Sequence, residues 1–322
     1  MDIQAYRQVD ALSYSILSKM VSHPMNLIAM EREETPSLTF GSLVDCLMFT
    51  PEEFDKRFTV TDIRKPSGEM LKWFNAYLEI KVPDSFVLTE TDALILKARS
   101  VSGYNSNLLD KTALARFHSE CDAHLNVLAG AGDTLIIPTE EYNRAATFVS
   151  RLFNNEFVKH YFNNAEKGVY TEFQKDIYFE IQGMPAKSLL DGVLFDEENG
   201  CITPFDLKTT SEPLMNFEYE FLKWKYYIQA ALYKYGLQQV YPNYLIKDFR
   251  FIVINDWEEP MIWKVSEHHY QFFLQGGYLR SGRHITGLFD LVEQYKWHMQ
   301  TKRFDYSKSV YDNNGVGNID LL

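Results

Sequence analysis

The sequence predicts an α/β (α+β) fold: a central mixed β-sheet flanked by helices, preceded by a helical N-terminal part and followed by a C-terminal helix. Three observations predict it. Strand patterns cluster at Gly168–Ile181, Ala186–Leu194 and Gly200–Thr209, bounded by Gly, Pro, Asn and Asp. One long helical pattern, Pro213–Leu237, separates them from two short strands, Phe249–Ile254 and Met261–Val265, with a turn at Asp256–Pro260 between. Upstream of the strands, most of the chain repeats its apolar residues at helical spacing. The expected segments are a helical part over 1–165, a core over 166–265 and a helix with tail over 266–322, together one compact domain.

Taken in order, Asp10–His23 opens with cap-type residues and continues as a helix that must end before Pro24. Gly41–Phe49 reads as a buried helix closed by Pro51. Asp45 stands out there, a carboxylate within Leu43-Val44-Asp45-Cys46-Leu47-Met48. A charge among apolar neighbours needs a partner or a metal. Residues 60–135 are the least informative: a basic loop at Arg64–Gly68, then helical patterns at Glu69–Ile80, Thr89–Asn105 and Asp110–Leu128. His118 and His124 are six apart, so they do not share a helical face and make no ligand pair. A turn at Ala129–Asp133 and a strand at Thr134–Pro138 lead into a helix from Thr139 to about Phe162. After the last strand, Ser266 to about Lys302 reads as one helix and Asp305–Leu322 as an irregular tail.

Composition narrows the function. A chain of 322 residues can bury a sizeable core. Its net charge of −12 argues against a broad basic nucleic-acid surface, yet permits a local basic track beside clustered carboxylates. Cys46, Cys121 and Cys201 are odd in number and widely spaced, which fits a reducing compartment. No signal pattern opens the chain and no apolar run reaches membrane length, so the expected location is the cytoplasm, away from any membrane.

Chemistry concentrates in 172–233. Asp191-Gly192 lies in one strand, Asp196–Gly200 turns the chain, and Cys201–Lys208 runs back. Such a hairpin brings Asp191 beside Asp206, and Lys208, two residues on, shares the face of Asp206. Two carboxylates and an ammonium then converge, which suits a divalent cation holding a phosphodiester. Glu172, on the preceding strand, is a candidate for orienting a water or a basic group. Gln229 and Tyr233 share a helix face at i, i+4, and that helix also carries Trp224 and Lys225. Lys223, Lys225 and Lys234 offer the local positive charge that phosphate requires.

The ordered series Glu172, Gly183-x-Pro185, Asp191-Gly192, Asp206-Leu207-Lys208-Thr209 and Gln229-x-x-x-Tyr233 resembles the PD-(D/E)XK nuclease superfamily. It is most similar to the RecB-like branch and, within it, to RecE-like, phage-type recombination exonucleases. The resemblance implies a restriction-endonuclease-like core and a Mg²⁺-dependent exodeoxyribonuclease, with Mn²⁺ as a substitute ion. It implies Asp191, Asp206 and the Leu207 carbonyl as metal ligands, with Asp45 completing the site. Lys208 aligns the water or stabilises the transition state, while Lys225, Gln229 and Tyr233 meet DNA or position the site. Relatives carry Gly-x-x-x-His where this chain has Gly41-x-x-x-Asp45, so a carboxylate stands in the place of a histidine ligand. With three cysteines the chain lacks the four-cysteine iron–sulfur cluster of some relatives. Implied partners are double-stranded DNA ends, a single-strand annealing protein and further copies in a ring. The rival readings are a structure-specific endonuclease, a trimmer of the CRISPR-adaptation type, and a catalytically inactive DNA-binding or assembly protein.

Overall fold

In the computed structural model, which describes residues 3–28, 35–81, 91–163 and 166–316, the strands form a mixed sheet. Val169–Ile181 (β1) and Met184–Asp196 (β2) pair antiparallel through a two-residue turn, Gln182-Gly183, both at positive φ as such hairpins need. Cys201–Thr209 (β3) returns antiparallel to β2. Phe249–Ile254 (β4) lies parallel to β3, and Met261–Val265 (β5) closes the path antiparallel to β4. The two-residue strand Leu245–Ile246 pairs with the start of β3. A parallel neighbour requires a crossover. The chain supplies it with two helices, Phe217–Lys223 and Tyr226–Val240, where the sequence reads as one. The break is Lys225, at φ 61°, whose left-handed backbone no continuous helix accepts.

Two compact units divide the chain. The first joins Met1–Phe49 to Thr147–Leu322 and holds the sheet. Its core gathers Leu190, Val193 and Phe195 from β2, Phe249, Phe251 and Val253 from β4, and Ile228, Ala230, Ala231 and Leu232 from the crossover helix. Leu17 and Met20 of helix Tyr14–Ser22, and Leu288, Leu291 and Val292 of helix Leu288–Thr301, join the same core. The second unit is Thr50–Ala146, built on helices Gly68–Lys81, Thr91–Ser102 and Asp110–Ala131. It has its own core around Trp73, Phe74, Tyr77 and Phe117, and a small parallel sheet pairing Phe58–Thr61 with Leu135–Pro138. These cuts differ from the segments read in the sequence. Leu12, Leu17 and Met20 belong with the sheet because they are buried in its core, while the helices of 68–131 bury their apolar faces on one another.

Other boundaries shift for local reasons. The helix from Thr139 ends at Asn154, not near Phe162, because the Asn155 side chain accepts the Phe157 and Val158 N–H groups. The C-terminal helix is two helices, Glu267–Gln275 and Leu288–Thr301, around a hairpin pairing Gly276–Tyr278 with His284–Thr286. Gly276 at φ 80° and Gly277 at φ 150° take conformations that end a helix. Lys308–Asp312 forms a short helix inside the segment expected to be irregular, of which 317–322 lie outside the described residues. Part of the Thr89–Asn105 pattern, residues 89 and 90, also lies outside them. Among the described residues no helix is long and apolar enough to cross a membrane.

Candidate active site

The site forms where β2 and β3 part. They stay in register only from Asp196↔Cys201 to Gly192↔Phe205. At that last pair the Phe205 ring lies across Gly192, so closely that a Cβ on residue 192 would stand 2.0 Å from it. Further along β2, Leu12 takes the place beside the strand. Its N–H donates to the Pro185 carbonyl and its carbonyl accepts from the Lys187 N–H, both at 2.8 Å. β3 runs on as Asp206-Leu207-Lys208 beside β4. The Leu207 N–H donates to Asp191 Oδ2 at 2.8 Å, a side chain answering a ladder donor. On the other side of β2, the Gln174–Asp191 pair is missing from an otherwise unshifted register, and Gln174 takes φ 47°.

Asp206 is 2 % exposed and is held from two directions. The Gln229 side-chain amide donates to its Oδ1, and the Lys208 ammonium ion-pairs with its Oδ2. The same ammonium lies 4.7 Å over the Tyr226 ring. Burial pulls the Lys208 pKa down, but Asp206 foremost outweighs it and holds the group well above the ordinary lysine range. For Asp191, burial pushes the carboxyl well above the usual range, and the charges of Asp206 and then Asp45 push the same way. The cluster therefore crowds negative charge that one lysine does not relieve.

The sequence-read residues divide on this geometry. Asp191, Asp206 and Lys208 come together. Asp45 lies on helix Pro36–Phe49, which passes β3 near Thr209: a Cβ at Gly41 would meet Thr209 Oγ1 at 3.6 Å. One turn later, Asp45 is close enough to act on Asp191. Glu172 ion-pairs with Lys175 at 2.7 Å, so its described partner is on its own strand rather than in the cluster. Gln229 and Tyr233 are buried in the crossover helix. Burial, then the charge of Asp206, raises the Tyr233 phenol well above its ordinary range. Gln229 holds the carboxylate from the buried side, and both side chains are largely covered by the fold. Lys234 is 1 % exposed and bonded to Glu267 at 2.7 Å, so it is not available to phosphate. Lys225 donates to Ser22 Oγ at 3.0 Å.

Tyr14 and Tyr226 were not singled out as site residues in the sequence. Tyr14 donates its O–H to the Trp224 carbonyl at 3.0 Å, at the break before the crossover helix. Burial raises its pKa to about 12, and the nearby Lys208 charge pulls the other way. Nothing in Ser13-Tyr14-Ser15 announces a partner about two hundred residues on.

A hard divalent cation fits this donor set. Asp191 and Asp206 offer carboxylate oxygens and Leu207 its carbonyl, and the raised Asp191 marks charge that a cation would relieve. Among the described residues no group of three or more His, Cys, Asp or Glu forms a ready-made metal cage. The Asp45 charge acts on Asp191 as well.

Comparison with known proteins yields one family. Residues 18–275 match the family described as "PDDEXK-like domain of unknown function (DUF3799)". No curated protein matches. Among solved structures, a protein from Eubacterium rectale, named provisionally as an exonuclease, aligns with TM-score 0.44 and 13 % identity over 96 % of this chain and 83 % of its own. That likeness is too distant to bear on the reading of the site.

Proposed function

The chain belongs to this PDDEXK-like family, and from that premise we propose that it is a Mg²⁺-dependent deoxyribonuclease acting from the ends of double-stranded DNA. The observation that carries the proposal is the closure of Asp191, Asp206 and Lys208 around the point where β2 and β3 separate. Asp191, Asp206 and the Leu207 carbonyl would hold the ion. When bound, it supplies charge neutralisation at the scissile phosphate and activation of the attacking water. Gln229 fixes the Asp206 carboxylate from the buried side, leaving its orientation little freedom. Lys208, braced between Asp206 and the Tyr226 ring, presents a cation to the negative charge on the phosphoryl oxygens of the transition state.

The motif order Asp191-Gly192, Asp206-x-Lys208 and Gln229-x-x-x-Tyr233 supports a RecB-like nuclease, while action at ends rests on the resemblance to RecE-like exonucleases alone. In that reading the chain assembles as a ring and passes single strand to an annealing protein. The test uses end-labelled linear duplex and closed circular duplex, each with Mg²⁺ and with EDTA. Mg²⁺-dependent loss of the linear duplex with survival of the circle supports the proposal. Efficient nicking of the circle favours an endonuclease, and inertness toward both substrates favours a DNA-binding protein without turnover.

A further inference from the structure

Trp224 is the residue whose placement the site chemistry leaves unused. It sits in the break between helices Phe217–Lys223 and Tyr226–Val240, and its carbonyl is the acceptor for Tyr14, which lies beside Lys208. Its backbone is therefore clamped two residues before Tyr226, whose ring lies 4.7 Å from the Lys208 ammonium, while Trp224 remains 49 % exposed. An indole surrenders that much surface to water at a cost unless something covers it. On the short helix before it, Tyr219 is 69 % exposed.

Charge collects around this indole in a chain whose net charge is −12. The Lys223 ammonium lies 4.8 Å over the Trp224 ring. The Lys225 pKa is lowered by burial and then by the charge of Arg283, an exposed residue in the hairpin Gly276–Thr286. Glu218 and Glu220 share the short helix with Lys223, and Glu220 accepts a hydrogen bond from Thr210 at 2.9 Å. A cation over an exposed indole, with Lys225 next in the chain and the Asp191–Asp206 pair as candidate metal ligands, is complementary to one kind of ligand. A nucleic-acid strand brings bases that stack on any aromatic face and phosphates that take cations.

We propose that Trp224 is the stacking platform for an unpaired nucleotide of the strand entering the site, with Lys223, Lys225 and Arg283 receiving its phosphates. Duplex DNA keeps its bases stacked on one another, so a platform of this kind selects a tailed or frayed end. The inference deepens the nuclease reading and rests on it for the position of the cleaved bond.

The test is binding in EDTA, where turnover is absent. Fluorescein-labelled oligodeoxythymidylate of about 15 nucleotides and a blunt duplex of the same length are titrated with wild type, Trp224→Ala and Trp224→Phe. Trp224→Ala weakens oligodeoxythymidylate binding roughly tenfold or more, Trp224→Phe weakens it less, and blunt-duplex binding changes little. Oligodeoxythymidylate quenches tryptophan emission in wild type, and the quench shrinks in Trp224→Phe, a readout that stands even where the alanine variant fails to fold. Lys225→Gln and Arg283→Gln each flatten the salt dependence of binding by about one ion. Unchanged binding by Trp224→Ala, equal loss with both probes, or no binding of the single strand by wild type overturns the inference. A chain that cleaves with Mg²⁺ yet shows no Trp224-dependent binding overturns this inference alone. One that binds the strand through Trp224 yet never cleaves overturns the nuclease reading alone.

Discussion

The Asp191 carboxylate accepts the Leu207 N–H at 2.8 Å. A metal-binding candidate thus also closes the ladder at the point where β2 leaves β3, and it ties the geometry of the site to the backbone of the strand carrying Asp206 and Lys208. Buried backbone donors must be paired, so Asp191 cannot be altered without disturbing β3. The cleaner probes of the chemistry lie elsewhere.

Lys208 is the first. Lys208→Ala leaves the sheet intact, since the side chain lies beside Asp206 and over Tyr226 and is partly exposed. Losing one preorganised electrostatic contact in a transition state lowers the rate by about 10²–10³. Cleavage assays and a thermal melt measured together check this. Near-wild-type cleavage removes Lys208 from the mechanism.

Mg²⁺ should stabilise the chain, because it binds the native carboxylates and not the unfolded ones. The crowding of Asp191 by Asp206 and Asp45 makes this gain larger than two isolated carboxylates would provide. Asp45→Ala relieves part of the crowding, so the metal-free protein gains stability while the Mg²⁺-dependent rise in melting temperature becomes smaller. Asp45→His moves the ion preference toward Mn²⁺. Superimposable Mg²⁺ titrations of wild type and Asp45→Ala place Asp45 outside the site.

Gly192→Ala drives a methyl group into the Phe205 ring, whose nearest atom would lie 2.0 Å away. Overpacking at such a point costs about 1–3 kcal/mol. Phe205→Leu introduced into Gly192→Ala should recover part of the loss, an interaction that a double-mutant cycle in denaturant measures. Purely additive losses would mean that the ring and the methyl group do not meet.

His118 makes a pH-dependent contribution. Burial lowers its pKa, but hydrogen bonds to Asp122 and Asp92, with their charges, leave it raised above 6.5. A raised folded value stabilises most fully below the unfolded value and is lost as pH rises through the folded one. Melting between about pH 6 and about pH 8 should therefore fall more in wild type than in His118→Gln. The ring is 37 % exposed, so the difference stays under about 1 kcal/mol. A His118→Gln profile parallel to wild type would refute it.

The site was half legible in the chain. Strands β4 and β5 fall on the residues expected for them, and the β2–β3 hairpin keeps Asp191 near β3, where its carboxylate accepts the Leu207 N–H. Period-two alternation and the same-face rule act over a few residues, so Asp206 and Lys208 were readable as a pair without any partner in view. Gln229 and Tyr233 were readable as one helix face but not as buried, because periodicity reports which residues share a face and not what covers it.

The sequence by itself determined the strands, the carboxylate–lysine constellation and the family to which the motif order points. Tertiary structure alone decided that Leu12 fills the gap beside β2, that Tyr14 reaches Trp224, and that Lys225 breaks the crossover helix. It also decided that the helices of 68–131 keep their own core. Each of these depends on a packing partner, and most of those partners are remote in the chain. Local pattern carries the preference of a segment for its own conformation. The free energy that chooses among remote partners comes from burying apolar area and pairing backbone donors, and it exists only once the chain has closed on itself.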